Sequence, residues 1–165
     1  MAALEYQVCL LLGSNIHPER NLPLSIDYLR NQLTILRISS VWETQAVGSA
    51  GPSFLNAALL ATTPLNQKEL KFQILTPLEA QMGRLRSADK NAARPIDLDV
   101  ILFDGQLLDK TIWNYSYQAV PVAEILPDIR SEIGETLKEM AEKFILGGSI
   151  RLRPDIVLLK NSKSY

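Results

Sequence analysis

The apolar residues of the first hundred positions change period in a fixed order, and that order admits few folds. Gln7 to Leu12 is a short apolar run stopped by the turn formers Gly13-Ser14-Asn15, which predicts a buried strand and a loop. Leu22, Ile26, Leu29 and Leu33 then follow at spacings of four, three and four, one face of a helix. Ile35 to Thr44 and Phe54 to Thr62 are rich in β-branched residues and predict two strands of a long-looped hairpin around Gly48, Gly51 and Pro52. Leu70, Ile74, Leu78 and Met82 restore the helical spacing, with Pro77 expected to remove one backbone bond and kink the rod. Ile96 to Phe103 is the fourth strand. The order β-α-β-β-α-β predicts a ferredoxin-like α+β core, two helices over one face of an antiparallel sheet. Ile133, Leu137, Met140 and Phe144 predict a further helix and Ile150 to Leu158 a closing strand, so residues 1–165 read as a single domain with a frayed tail from Lys160.

The chain has 165 residues, 47% of them hydrophobic, enough for a core without staples. Seventeen basic residues against eighteen acidic ones leave a net charge of -1, which marks no polyanion or membrane partner. Phosphate chemistry, if present, is local. Cys9, the only cysteine, lies in an apolar run and reads as a core thiol. The amino terminus carries Glu5 and no basic stretch before an apolar run too short for a leader or a span, so a cytoplasmic protein is expected.

Arg94-Pro95-Ile96-Asp97-Leu98-Asp99 is the sharpest local feature. Asp97 and Asp99, at i and i+2 on a strand, point the same way and repel. Either they are a solvated polar face or they hold a divalent cation, for which hard oxygen ligands suit magnesium. Arg84, Arg86 and Arg94 stand upstream, as solvated charges at a helix end or as groups that neutralise phosphate oxygens. Glu79 has the same two readings, surface charge or acceptor from a ribose hydroxyl. Phe54 and Asn56 share a strand face, either as ordinary core or as a ring and an amide for a planar heterocycle. His17, the lone histidine, reads as a surface residue.

In order, Leu12-Gly13-Ser14-Asn15 with Glu19 to Leu22, Ser39 to Thr44, Pro52 to Ala57, Leu78-Glu79 with Gly83 to Arg86, and Arg94 to Asp99 resemble the 6-hydroxymethyl-7,8-dihydropterin pyrophosphokinase family. The resemblance implies transfer of a diphosphate from ATP to a pterin alcohol in folate biosynthesis. It implies that Asp97 and Asp99 hold two magnesium ions, that Arg84 and Arg94 steady the transferring group, and that Glu79, Arg86 and Val100 lie on the nucleotide side. Phe54 would stack on the pterin and Asn56 bond to it, with Thr44, Gln45, Ala46 and Val47 lining the pocket and Tyr117 as a second stacking ring. ATP and the pterin are the implied partners of a monomer.

The departures are specific. Asn91-Ala92-Ala93-Arg94 stands where the family usually has W-G-P-R, and neither histidine nor arginine occurs between Phe103 and Pro121. Pro121 to Pro127 resembles the family's P-L-x-E-I-x-P stretch, but the connection before it is shorter, and Lys90, Lys110, Trp113 and Tyr115 are the residues left to replace lost nucleotide contacts. Three functions remain open on sequence: an active pyrophosphokinase, a pterin-binding or regulatory relative with weak or lost use of ATP, and a ferredoxin-like interaction domain.

Overall fold

The computed structural model describes residues 3–46, 51–84 and 93–159. Five strands build most of the sheet: β1 (Tyr6–Ser14), β4 (Phe54–Thr63), and, beside them, β5 (Asp97–Phe103) and the pair β2 (Thr34–Ile38) and β3 (Trp42–Thr44). Two short edges, β6 (Gln106–Leu107) and β7 (Ile150–Leu152), complete the order β6-β5-β1-β4-β3-β7, with β2 also on β4. Every pairing is antiparallel. The expected core order is present.

Both faces of the sheet are covered, which is why β1 and β4 read as nearly continuous apolar runs. Leu10, Leu12, Ala57 and Leu59 pack against α1 (Pro18–Gln32) and the helical rod after β4. Cys9, Leu11, Ala58 and Leu60 pack against α4 (Ser116–Ile125) and α5 (Leu137–Leu146). Burial pushes the Cys9 thiol up to about 12, so it is inert core.

The rod after β4 consists of α2 (Gln67–Leu70), a π-helical turn (Lys71–Leu75) and α3 (Thr76–Gln81), joined through right-handed helical residues. The Thr76 N–H bonds the Lys71 carbonyl five residues back. Pro77, which has no N–H, follows immediately, so the rod answers the proline by widening one turn.

Three expectations need correction. Ile35 to Thr44 is not one strand: the Ser39 hydroxyl accepts the Ala58 N–H at 2.8 Å, and the Ser40 N–H leaves the ladder for Glu124, dividing β2 from β3. The helix containing Leu137 does not begin at Ile133, which is 88% exposed, because Thr136 and Glu139 form a capping box after a turn closed by Gly134 at φ 83°. The closing strand ends at Leu152 rather than Leu158: the Arg153 N–H still reaches the Val41 carbonyl, and Pro154 cannot continue the ladder. Helix α4 is buried almost all round and so carries no amphipathic period in the sequence.

Candidate active site

The sheet register assembles the site. Gly13 on β1 faces Asn56 on β4 and Asp97 on β5, and Asn56 in turn faces Trp42 on β3, one row across four strands. The neighbouring rows add Phe54 opposite Thr44 and Asp99 opposite Leu11. Tyr117 comes over from α4, and these residues other than Trp42, together with Gln45, Ala46 and Arg94, line one cleft. Gly13 forms its floor: a β-carbon there would lie 3.5 Å from Asn56 Oδ1 and 3.7 Å from the Phe54 ring, so a larger side chain would enter the cleft.

At one end the cleft offers a ring and an oriented amide. Asn56 is buried, and its Nδ2 donates to the Trp42 carbonyl at 3.2 Å and to Thr44 Oγ1 at 3.0 Å. With both donors used inside the protein, Oδ1 is the face presented over Gly13.

At the other end charge is concentrated. Arg84 Nη1 lies 2.9 Å from Asp97 Oδ1 and Arg94 Nη1 2.8 Å from Asp97 Oδ2. Glu79 stands behind them with 8% exposure, its Oε2 2.6 Å from Arg84 and its Oε1 accepting the Leu98 N–H at 3.0 Å. Both its oxygens are therefore engaged by the protein. Asp99 faces the open cleft, and its carboxyl is pushed up to about 7 by the surrounding protein first and by the carboxylates of Asp97, Asp109 and Glu79, with Arg84 opposing. Packing first, and then the charges of Asp99, Asp109, Tyr115 and Asp97, hold the Tyr117 phenol at about 12, so it enters neutral-pH chemistry as a phenol.

Thr44, Gln45, Ala46, Phe54, Asn56 and Tyr117 thus share one cleft with Arg94, Asp97 and Asp99. Arg84 reaches it through Asp97. The Val100 side chain packs on the opposite face, among the residues under α1, and Val47 and Arg86 lie outside the described residues. Lys110 and Trp113 line a different cleft, between the 3-10 turn Lys110–Trp113 and the loop around Arg130. His17 is exposed at the start of α1. Asn15, whose side chain accepts the Arg94 N–H at 2.6 Å, belongs to the site although its chemistry does not advertise it.

Among the described residues no group of three or more histidine, cysteine or acidic side chains could hold a metal by itself. Two adjacent carboxylates, one kept from ionising freely by the surrounding protein and then by the other, nevertheless suit a hard cation that draws its remaining ligands from phosphate and water. The described cleft contains no cysteine, serine or histidine nucleophile.

The sequence model of the 7,8-dihydro-6-hydroxymethylpterin-pyrophosphokinase (HPPK) family matches residues 9–127 of the chain. The chain is 31% identical over 134 residues to a folate synthesis bifunctional protein of Arabidopsis thaliana, covering 73% of this chain and 27% of that protein. It is 29% identical over 146 residues to a 2-amino-4-hydroxy-6-hydroxymethyldihydropteridine pyrophosphokinase of Pseudomonas aeruginosa, covering 81% and 89%. A crystal structure of Plasmodium falciparum HPPK-DHPS with pterin and p-hydroxybenzoate shares the fold, with a TM-score of 0.68 at 11% identity over 92% of this chain and 47% of that one. The chain spans about a quarter of the plant relative and just under half of the Plasmodium chain.

Proposed function

The chain belongs to the 7,8-dihydro-6-hydroxymethylpterin-pyrophosphokinase family, and from that membership we propose that it transfers a diphosphate from ATP to the hydroxymethyl group of 6-hydroxymethyl-7,8-dihydropterin. One observation carries the proposal: a single cleft joins a ring and an acceptor amide, Phe54 and Asn56, to the carboxylates Asp97 and Asp99 beside Arg94. Phe54 stacks on the heterocycle while Asn56 Oδ1 accepts from its donors. Arg84 and Arg94, held on Asp97 here, are the cations that would turn to the phosphates. Asp97 and Asp99 would hold magnesium, which neutralises phosphate charge when bound. The pterin hydroxymethyl oxygen bonds to the β-phosphorus and AMP leaves. Such a transfer depends on positioning and charge and needs no covalent intermediate on the protein, in keeping with the cleft's lining.

AMP release from ATP that requires both the pterin and magnesium tests this. Phe54→Ala should weaken pterin binding by about 1 kcal/mol, the scale of a lost ring contact, and leave binding of an ATP analogue alone. Unchanged pterin affinity would remove the stacking role. A second reading, a pterin binder with little use of ATP, is favoured by the stretch between Phe103 and Pro121, which lacks histidine and arginine and aims Lys110 and Trp113 at another cleft. Tight pterin binding without AMP release would select it. Among the described residues no helix is long and apolar enough to cross a membrane. A cytoplasmic monomer is our reading, and elution at the mass of one chain in size-exclusion chromatography tests the second half of it.

A further inference from the structure

Helix α4 is buried along nearly its whole length and carries one charge, Glu124, in its last turn. That end of a helix disfavours a carboxylate. Three donors converge on this one: Trp42 Nε1 at 2.5 Å on Oε1, and the Ser40 N–H and hydroxyl at 3.0 and 3.1 Å on Oε2. Ser40 lies in the break between β2 and β3, and Trp42 opens β3 with 9% exposure. The Trp42 carbonyl in turn accepts from Asn56 Nδ2 at 3.2 Å, beside the Thr44 hydroxyl at 3.0 Å. A continuous line of hydrogen bonds and one residue's backbone therefore runs from the far helix to the amide in the cleft.

We propose that Glu124 is a positioning residue for the heterocycle end of the cleft. It fixes the indole and the start of β3, and through the Trp42 carbonyl it holds the Asn56 amide with Nδ2 inward and Oδ1 outward. The cleft so arranged selects planar heterocycles with a ring N–H or amino group facing Asn56. The identity of the heterocycle rests on the pterin reading above, whereas the link from Glu124 to Asn56 does not. β3 has other supports: it is paired on both sides, with β4 and β7, and Glu43 is held by Arg151 at 2.5 Å and Arg153 at 3.3 Å. Removing Glu124 therefore leaves β3 paired but frees its first residue, Trp42, whose carbonyl holds Asn56, along with the Ser40 donors.

The test uses the full chain with Glu124→Ala and Glu124→Gln, reading the Asn56 side-chain amide resonances by NMR and the affinities for 6-hydroxymethyl-7,8-dihydropterin and a non-hydrolysable ATP analogue. Glu124→Ala is expected to move the Asn56 amide pair and to weaken pterin binding about ten-fold, with ATP-analogue affinity unchanged, the scale of one misplaced polar contact. Glu124→Gln keeps an acceptor for Trp42 and should recover most of the loss. Asn56 resonances at their wild-type positions in Glu124→Ala overturn the proposal, and so does an equal fall in both affinities, which marks general loosening. Should Glu124→Ala not fold, Trp42→Phe removes the indole donor with part of the ring while keeping Glu124, and carries the same readouts. If the wild-type protein binds no pterin, the functional reading fails, and the Asn56 resonances still decide the link.

Discussion

Asn15 and Arg94 exchange two hydrogen bonds, the Arg94 N–H to Asn15 Oδ1 at 2.6 Å and the Asn15 N–H to the Arg94 carbonyl at 3.1 Å. The turn after β1 thereby holds the chain as it enters β5, and Arg94 is delivered onto Asp97. Asn15→Ala should lower stability by about 1 to 3 kcal/mol in urea unfolding, since it removes the side-chain acceptor of a part-buried N–H. It should also reduce turnover more than pterin affinity. A variant as stable and as active as the wild type would show that the exchange positions nothing.

The two aspartates should respond differently to neutralisation. Asp97 is already matched by Arg84 and Arg94, so Asp97→Asn removes an ion pair from each and should lower the melting temperature by a few degrees. Asp99→Asn removes a crowded carboxylate and should hold or raise it. Both should reduce turnover by at least about 100-fold if they serve the metal. Thermal melts beside rate assays separate the effects, and parallel shifts in the two melts would contradict the asymmetry.

Asp99 also makes a pH prediction. Its folded-state pKa of about 7 lies above the ordinary carboxyl value of 3.8, so the folded protein binds that proton more tightly than the unfolded chain does. The resulting stability is fully present below the ordinary value and is lost as the pH rises through about 7. Water reaches the open side of the cleft and screens the group, so the effect is small. In magnesium-free buffer the melting temperature should fall between pH 5 and pH 8 more in the wild type than in Asp99→Asn. Coincident profiles would show that Asp99 titrates normally.

ATP should bind weakly. Lys110, the nearest cation after β5, is 80% exposed, lies 3.8 Å from Glu132 and lines the other cleft, and Tyr115 rests on Tyr117 with ring centres 5.5 Å apart. Hydrogen bonds to charged groups contribute about 1.5 to 3 kcal/mol each, so two missing contacts lower affinity by about two to four powers of ten. Calorimetry with a non-hydrolysable analogue in magnesium buffer measures this. Low-micromolar binding would mean that other residues supply the contacts.

The core strands are legible as apolar or β-branched runs cut off by turn formers, and the first two helices because their apolar residues keep one period over several turns. Leu22, Ile26 and Leu29 are all fully buried, as their spacing requires. Helix α4 is not legible for the opposite reason: Ala119, Val120, Pro121, Val122 and Ala123 are buried on successive positions, so no period survives. In the site, Phe54, Asn56, Asp97 and Asp99 stand out singly by residue type. That Gly13 lies between Asn56 and Asp97 depends on the register of three strands, which no local pattern states. Glu79 is harder still, because one of its partners is the Leu98 backbone N–H, and every residue has one.

The wide turn at Lys71–Leu75 has a geometric consequence for that carboxylate. An α-helix advances about 100° for each residue, so one residue more or less in the rod swings everything downstream by more than a quarter of a revolution. Leu78 would trade its buried azimuth for a neighbour's, and Glu79 would no longer point at Leu98 and Arg84. The irregular turn behaves as an angular spacer: it sets the compass bearing of Glu79, and a shortened, perfectly regular rod would fold with its anchor aimed away from the charge it holds.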